Sequence, residues 1–161
     1  MSKSAMGSDE KFVKEASSGG TAEVKLGKLA QEKGSSESVK KFGARMVSDH
    51  TKAGDNLKQA ASRANIPVSN TMDAKEQDLY NKLSQMSGDS FDREYAKEMV
   101  EDHTHDVSEF RKEATNGQNE TIKNFASETL PTLQEHLKLA QDMQKSVSGS
   151  ASAKSKINES Y

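Results

Sequence analysis

The sextet Met46-Val-Ser-Asp-His50-Thr51 recurs as Met99-Val-Glu-Asp-His103-Thr104, identical at five of six positions. An aromatic precedes each copy at the same distance, Phe42 and Tyr95. Both copies lie mid-way along strongly helical stretches, where each histidine falls on the apolar stripe that should face a core. Two more ionisable residues, Glu23 and His136, hold equivalent mid-stripe positions on two other predicted helices. A bundle of such helices must bring four metal-capable side chains to its middle, and that requirement constrains what the chain can fold into.

The stripes carry the expectation. Helix one aligns Phe12, Ala16, Gly19, Glu23, Leu26 and Ala30, and helix two aligns Val39, Phe42, Met46, His50, Ala53, Leu57, Ala60 and Ala64. Helix three aligns Phe91, Tyr95 and Met99, then Asp102 or His103, then Asp106 and Phe110; helix four aligns Ile122, Ala126, Thr129, Leu133, His136, Ala140 and Met143. Each has the period of a bundle-forming helix, interrupted near its centre by an ionisable group. An unpaired buried polar group costs about 1–3 kcal/mol, so several converging ones need a shared partner. Counted from Ser36 and from Asp89, His50 and His103 both stand 14 residues into their helices. The heights therefore permit one common site.

Breakers and caps set the boundaries. Helix one is expected from about Asp9 to Lys33, helix two from Ser36 to Asn65, helix three from Asp89 to Asn116 and helix four from Glu120 to Ser146. Gly34-Ser35-Ser36 ends one helix and caps the next, Asp89 or Ser90 can cap helix three, and Asn116-Gly117 offers a left-handed stop. Pro131 should kink helix four or divide it. A shorter amphipathic helix is expected over Asp73 to Met86. The stretch from Asn65 to Gly88 is long enough to cross the bundle and make helices two and three parallel. The result is an all-α, ferritin-like four-helix bundle of two hairpins with an extra short helix in the crossover. Its domain is expected over 9–146, between a flexible leader (1–8) and a disordered tail (147–161) rich in Ser, Ala and Lys.

Composition excludes several classes. Apolar residues make up 32% and charged residues 30%, as expected of narrow buried stripes and broad wet faces. A net charge of −2 and the lack of a basic cluster argue against nucleic acid as a partner. No apolar run approaches the roughly 20 residues a membrane span needs. The absence of cysteine removes disulfides, thiolate sites and thiol catalysis. The first residues lack the apolar region of a secretory signal. No phosphate loop or nucleophile elbow appears. A homo-oligomer is compatible with the sequence but not indicated by it.

Three imidazoles and one or two carboxylates make a nitrogen–oxygen metal site. Glu23, His50, His103 and His136 are the expected ligands, with Asp106 either a ligand or the orienter of a histidine. His103 and Asp106, three apart, share a face as the Glu-x-x-His pairs of di-iron bundles do. The set is poorer in carboxylates than a di-iron centre, which favours a single Zn, Fe, Mn or Cu ion over two. Asp49 and Asp102 point about 100° away from the neighbouring histidines, as acceptors behind an imidazole or as solvated acids. Met46 and Met99 are expected to fill the core rather than to ligate Cu(I). His105 falls outside the stripe and should be exposed.

The chain also resembles the bacterial domain-of-unknown-function family 4142 over about Asp9 to Gln144. The resemblance rests on Phe12-Val-Lys-Glu-Ala16, Gly20-Thr-Ala-Glu23-Val-Lys-Leu26, Phe42-Gly-Ala-Arg-Met46-Val-Ser-Asp-His50, Met99-Val-Glu-Asp-His103 through Asp106 to Phe110, and Leu130-Pro-Thr-Leu-Gln-Glu-His136-Leu. It implies a ferritin-like fold and the polar positions Glu23, His50, His103, Asp106 and His136. It also implies a periplasmic or envelope location, because members usually carry a signal peptide or lipoprotein leader. The leading expectation is a metal-binding protein for sequestration or stress protection. The alternatives are a metal-free helical interaction protein whose polar seam fixes register, and a redox enzyme acting on oxygen or peroxide, which would need a redox-active ion with an open position.

Overall fold

The computed structural model describes the backbone of residues 3–159 and the side chains of residues 7–148. Five helices follow one another: α1 (Lys3–Lys33), α2 (Glu37–Ala64), α3 (Ala74–Ser84), α4 (Gly88–Asn116) and α5 (Glu120–Glu159). The four long helices form a bundle. α1 packs along α2 and α4 along α5; α2 meets α5 and α1 meets α4, while α3 lies against α1 and α4.

Two buried aspartates, neither singled out in the sequence, fix the direction of these helices. The Asp92 carboxylate, in the second turn of α4, accepts from Ser35 N (3.1 Å), Ser36 N (2.9 Å) and Ser35 Oγ (2.8 Å). The starts of α2 and α4 therefore share one end of the bundle. At the opposite end Asp9 accepts from Gln118 N (3.2 Å) and Asn119 N (2.8 Å), holding the start of α5 beside that of α1. A carboxylate at a helix N-terminus satisfies otherwise orphaned amides and complements the helix dipole. With α2 and α4 parallel, the segment between them spans the bundle, as the loop length predicts. Ser17 Oγ accepts from Ser69 N (2.8 Å) and Ser18 Oγ from Asp73 N (3.2 Å), tying that crossover to α1.

Most helix ends follow local chemistry. Ser36 caps α2 by accepting from Ser38 N, and Asn65 closes it in the left-handed conformation at φ 56°. Asp73 and Glu76 form a reciprocal capping box on α3. Two expected ends differ. The N-cap of α4 is Ser87, without a side-chain bond, because Gly88 at φ 64° makes the turn and Asp89 is engaged with Ser35 Oγ at 3.1 Å. Gly117 is extended (φ −57°, ψ 144°) rather than left-handed. A Cβ there would lie 2.6 Å from the Glu113 carbonyl and 2.7 Å from its Oε1, so close approach accounts for the glycine.

α5 also runs unbroken through Pro131 and is not divided. It continues past the expected boundary at Ser146, with Val147 buried one turn beyond Met143, and α1 opens at Lys3 rather than at about Asp9. The rest of the expected leader and tail involves side chains outside the described residues. Among those described, no helix is long and apolar enough to cross a membrane.

The core divides in two. One apolar cluster gathers Leu26, Phe42, Met46, Phe91, Tyr95, Met99, Ala140 and Met143; the other gathers Phe12, Val13, Leu57, Val107, Phe110, Phe125 and Leu133. Along α2, α4 and α5 the histidines sit in sequence between members of the two clusters. Met46 and Met99 are core filling, as expected. The close contact of α1 with α2 depends on a glycine pair: a Cβ on Gly43 would stand 2.6 Å from the Gly27 carbonyl and 2.9 Å from Ala30 Cβ.

Gly43→Ala should therefore cost about 1–3 kcal/mol by overpacking, whereas Gly20→Ala, whose Cβ meets nothing within 4 Å, should be neutral or stabilising by up to about 1 kcal/mol. Urea melts of the two variants test the pair. A second expectation concerns Glu113, whose carboxyl is pushed up to about 8 by burial and by Asp9 beside it. A pKa raised on folding contributes stability that is complete below the unfolded value of about 4.3 and is lost as pH rises through about 8. The melting temperature of Glu113→Gln should fall less between pH 6 and 9 than that of the parent protein.

Candidate metal centre

α2, α4 and α5 each contribute one imidazole to the middle of the bundle. His50, His103 and His136 are 8%, 0% and 1% exposed. One nitrogen from each lies within 4.8 Å of the other two. Ring centroids are 5.3 Å apart for His50–His136, 5.4 Å for His103–His136 and 5.9 Å for His50–His103.

Hydrogen bonds select the tautomers of two of them. The Met99 carbonyl can only accept, so His103 Nδ1–H donates to it at 2.8 Å and leaves Nε2 with a bare lone pair. His136 Nε2–H donates to Asp49 Oδ2 at 2.7 Å and leaves Nδ1 bare. Asp49 is held in turn by Arg45 Nε at 2.7 Å, and Arg45 reaches Glu135 at 3.1 Å. Although partial burial works the other way, the hydrogen bonds from His136 and Arg45 keep the Asp49 carboxyl below its ordinary range. His50 Nε2, His103 Nε2 and His136 Nδ1 are all buried without a hydrogen-bond partner. Buried polar nitrogens in that state are uncommon, and three converging ones form a ready set of ligands.

Burial also keeps the imidazoles neutral. It lowers His50 to about 3, helped by His103 and His136, and lowers His103 to about 4 against the bond to Met99. His136 is lowered by burial and partly restored by Asp49. Neutral imidazole is the form that binds a metal.

The carboxylates occupy different ground. Neither Glu23 nor Asp106 belongs to the set of atoms within 4.8 Å. Glu23 on α1 is buried with Oε2 unpartnered, and its carboxyl is raised well above the usual range by burial, then by Asp102, Asp106 and Glu76. Asp102 and Asp106 are each raised to about 7, chiefly by burial and then by neighbouring acids. The buried Tyr95 hydroxyl, also unpartnered, is raised well above its usual range by burial and then by Glu23 and Asp102. The two aspartates of the repeat have thus diverged: Asp49 orients a histidine, while Asp102 joins an acidic group. Asp49 serves His136 on another helix rather than its neighbour His50. The sequence signal for that was its place off the stripe, 100° from His50. His105 is exposed, as expected.

An all-α bundle of four long helices, with three buried histidines close enough to hold one metal ion, is the class that this architecture defines. Within it the chain belongs to the family described as Domain of unknown function (DUF4142), which matches residues 1–143. No curated protein and no solved structure matches the chain.

Opposing titrations dictate the acid response of the metal-free protein. Histidine pKa values depressed on folding contribute stability present above about 6.5 and lost as pH falls toward the folded values of about 3 and 4. Asp102 and Asp106, raised to about 7, contribute stability that is complete below their unfolded values and lost as pH rises through about 7. The two trends offset between pH 4 and 7. Asp102→Asn/Asp106→Asn should therefore lose melting temperature more steeply than the parent on acidification from pH 6.5, by calorimetry in chelator.

Proposed function

We propose that this protein binds one transition-metal ion through His50, His103 and His136 and serves to sequester the ion or to protect against metal-dependent stress. The observation that carries the reading is the proximity of three buried imidazoles that each keep one nitrogen unpartnered, two of these being bare lone pairs because a hydrogen bond fixes the opposite ring nitrogen. Tetrahedral coordination with bonds of about 2.0–2.1 Å needs nitrogens about 3.3 Å apart, so the trio would tighten on binding. Three imidazoles with a fourth position open favour Zn or Cu, with Fe next and Mn, which prefers carboxylate, last. Glu23 and Asp106 are candidates for a water-bridged or direct fourth ligand. The family resemblance supports a place in the bacterial envelope. Redox chemistry on oxygen or peroxide is a narrower reading that requires Fe or Cu.

Metal content by mass spectrometry, on protein purified without a His-tag or chelator, is the deciding measurement. About one ion per chain is expected, with near-complete loss in His50→Ala/His103→Ala. No metal in either protein, after challenge with Zn, Cu, Fe and Mn, would sink the proposal and favour a metal-free bundle whose polar layer sets register. Binding to the native state at 100 times Kd adds about 2.7 kcal/mol, so the bound ion should raise the melting temperature and a chelator should reverse the gain. Asp49→Ala, which leaves His136 without its acceptor, should weaken the affinity about 10–100-fold.

A further inference from the structure

A cavity of about 470 Å³ opens beside the histidine trio, chiefly between α1 and α2, and both His50 and Asp106 line it. Its inner wall is apolar, with Leu57, Phe110, Phe125 and Leu133. Exposed Lys25, Lys28 and Lys58 stand at its edge against two exposed acids, Glu15 and Asp55. Helix-interior glycines keep it wide: Gly20 and Gly54 line the cavity, and a Cβ on either would meet nothing within 4 Å. Glycine inside a helix is destabilising relative to alanine, and no close packing accounts for these two as it does for Gly27 and Gly43.

We propose that this cavity admits a small organic carboxylate with an apolar body, whose oxygen completes the coordination of an ion held by the three histidines. The proposal rests on the metal reading. His50 is both a wall of the cavity and a member of the trio, with its buried Nε2 unpartnered, so the cavity reaches the edge of the trio. Its volume falls in the range of small-molecule sites, about 300–1,000 Å³. Three neutral imidazoles bring no negative charge of their own to a divalent ion, and the lysines outnumber the exposed acids at the edge; both favour an anion. The aromatic and aliphatic wall selects an apolar body over a bare inorganic anion.

The test uses full-length protein loaded with Co²⁺ to a measured stoichiometry, titrated with benzoate and followed by the visible absorption of the metal. Gly20→Leu/Gly54→Leu fills the cavity from two positions whose Cβ meets nothing within 4 Å, replaces no proposed ligand, and should hold Co²⁺ as the parent does with an equal or higher melting temperature. Benzoate is expected to change the parent spectrum saturably and to bind the variant at least tenfold more weakly. A parent that holds Co²⁺ yet shows no spectral change with millimolar benzoate overturns the cavity proposal and leaves the metal reading standing. Equal benzoate affinity in parent and variant overturns it as well, because the anion then binds elsewhere. Failure of the parent to hold Co²⁺ overturns both.

Discussion

The bundle depends on burying three neutral imidazoles in one layer across its core. A polar nitrogen withdrawn from water without a partner costs about 1–3 kcal/mol, so the layer persists only where the surrounding structure over-determines it. Apolar clusters lie to either side, the Met99 carbonyl takes one ring proton, and Asp49 takes another. Those two bonds fix the His103 and His136 rings and leave one nitrogen of each without a partner. Helix register follows, because sliding one helix by a residue would turn its histidine off the shared face.

Next to the imidazole layer stands a group of carboxylic acids with the opposite response to burial. Desolvation drives imidazole toward its neutral, deprotonated form and a carboxyl toward its neutral, protonated form. Glu23, Asp102 and Asp106 are all raised, and His50 and His103 are lowered to about 3 and 4. The core thereby avoids buried net charge by two routes at once. On the proposed reading, a divalent ion reverses the balance: its charge favours ionised carboxylates, and protons leave as the ion enters.

Much of this was legible in the sequence, for local reasons. The repeat of Met-Val-x-Asp-His on two apolar stripes located His50 and His103, and the period alone placed His136 on a third helix. The ends at Ser36 and Asp73 followed from side chains that bond to amides within a few residues, and the end at Asn65 from a residue that tolerates the left-handed conformation. Other features required contacts distant in sequence. Glu23 is buried as expected, yet its charge neighbours are Asp102 and Asp106, and it is not among the ligand atoms grouped with the histidines. Gly88, not Asp89, shapes the start of α4 because Asp89 bonds to Ser35. Gly27 and Gly43, unremarkable as single helix positions, are the close approach of two backbones.

The sequence by itself determined the four amphipathic helices, the parallel course of α2 and α4, and the presence of ionisable groups at one height, since periodicity and loop length are properties of the chain alone. Only the tertiary structure decided which of those groups meet, which nitrogen each ring presents, and where the cavity opens. Those outcomes depend on the rotation of each helix about its axis and on partners such as Asp49 for His136, 87 residues apart. No local pattern encodes a contact of that kind, because packing the whole core settles it.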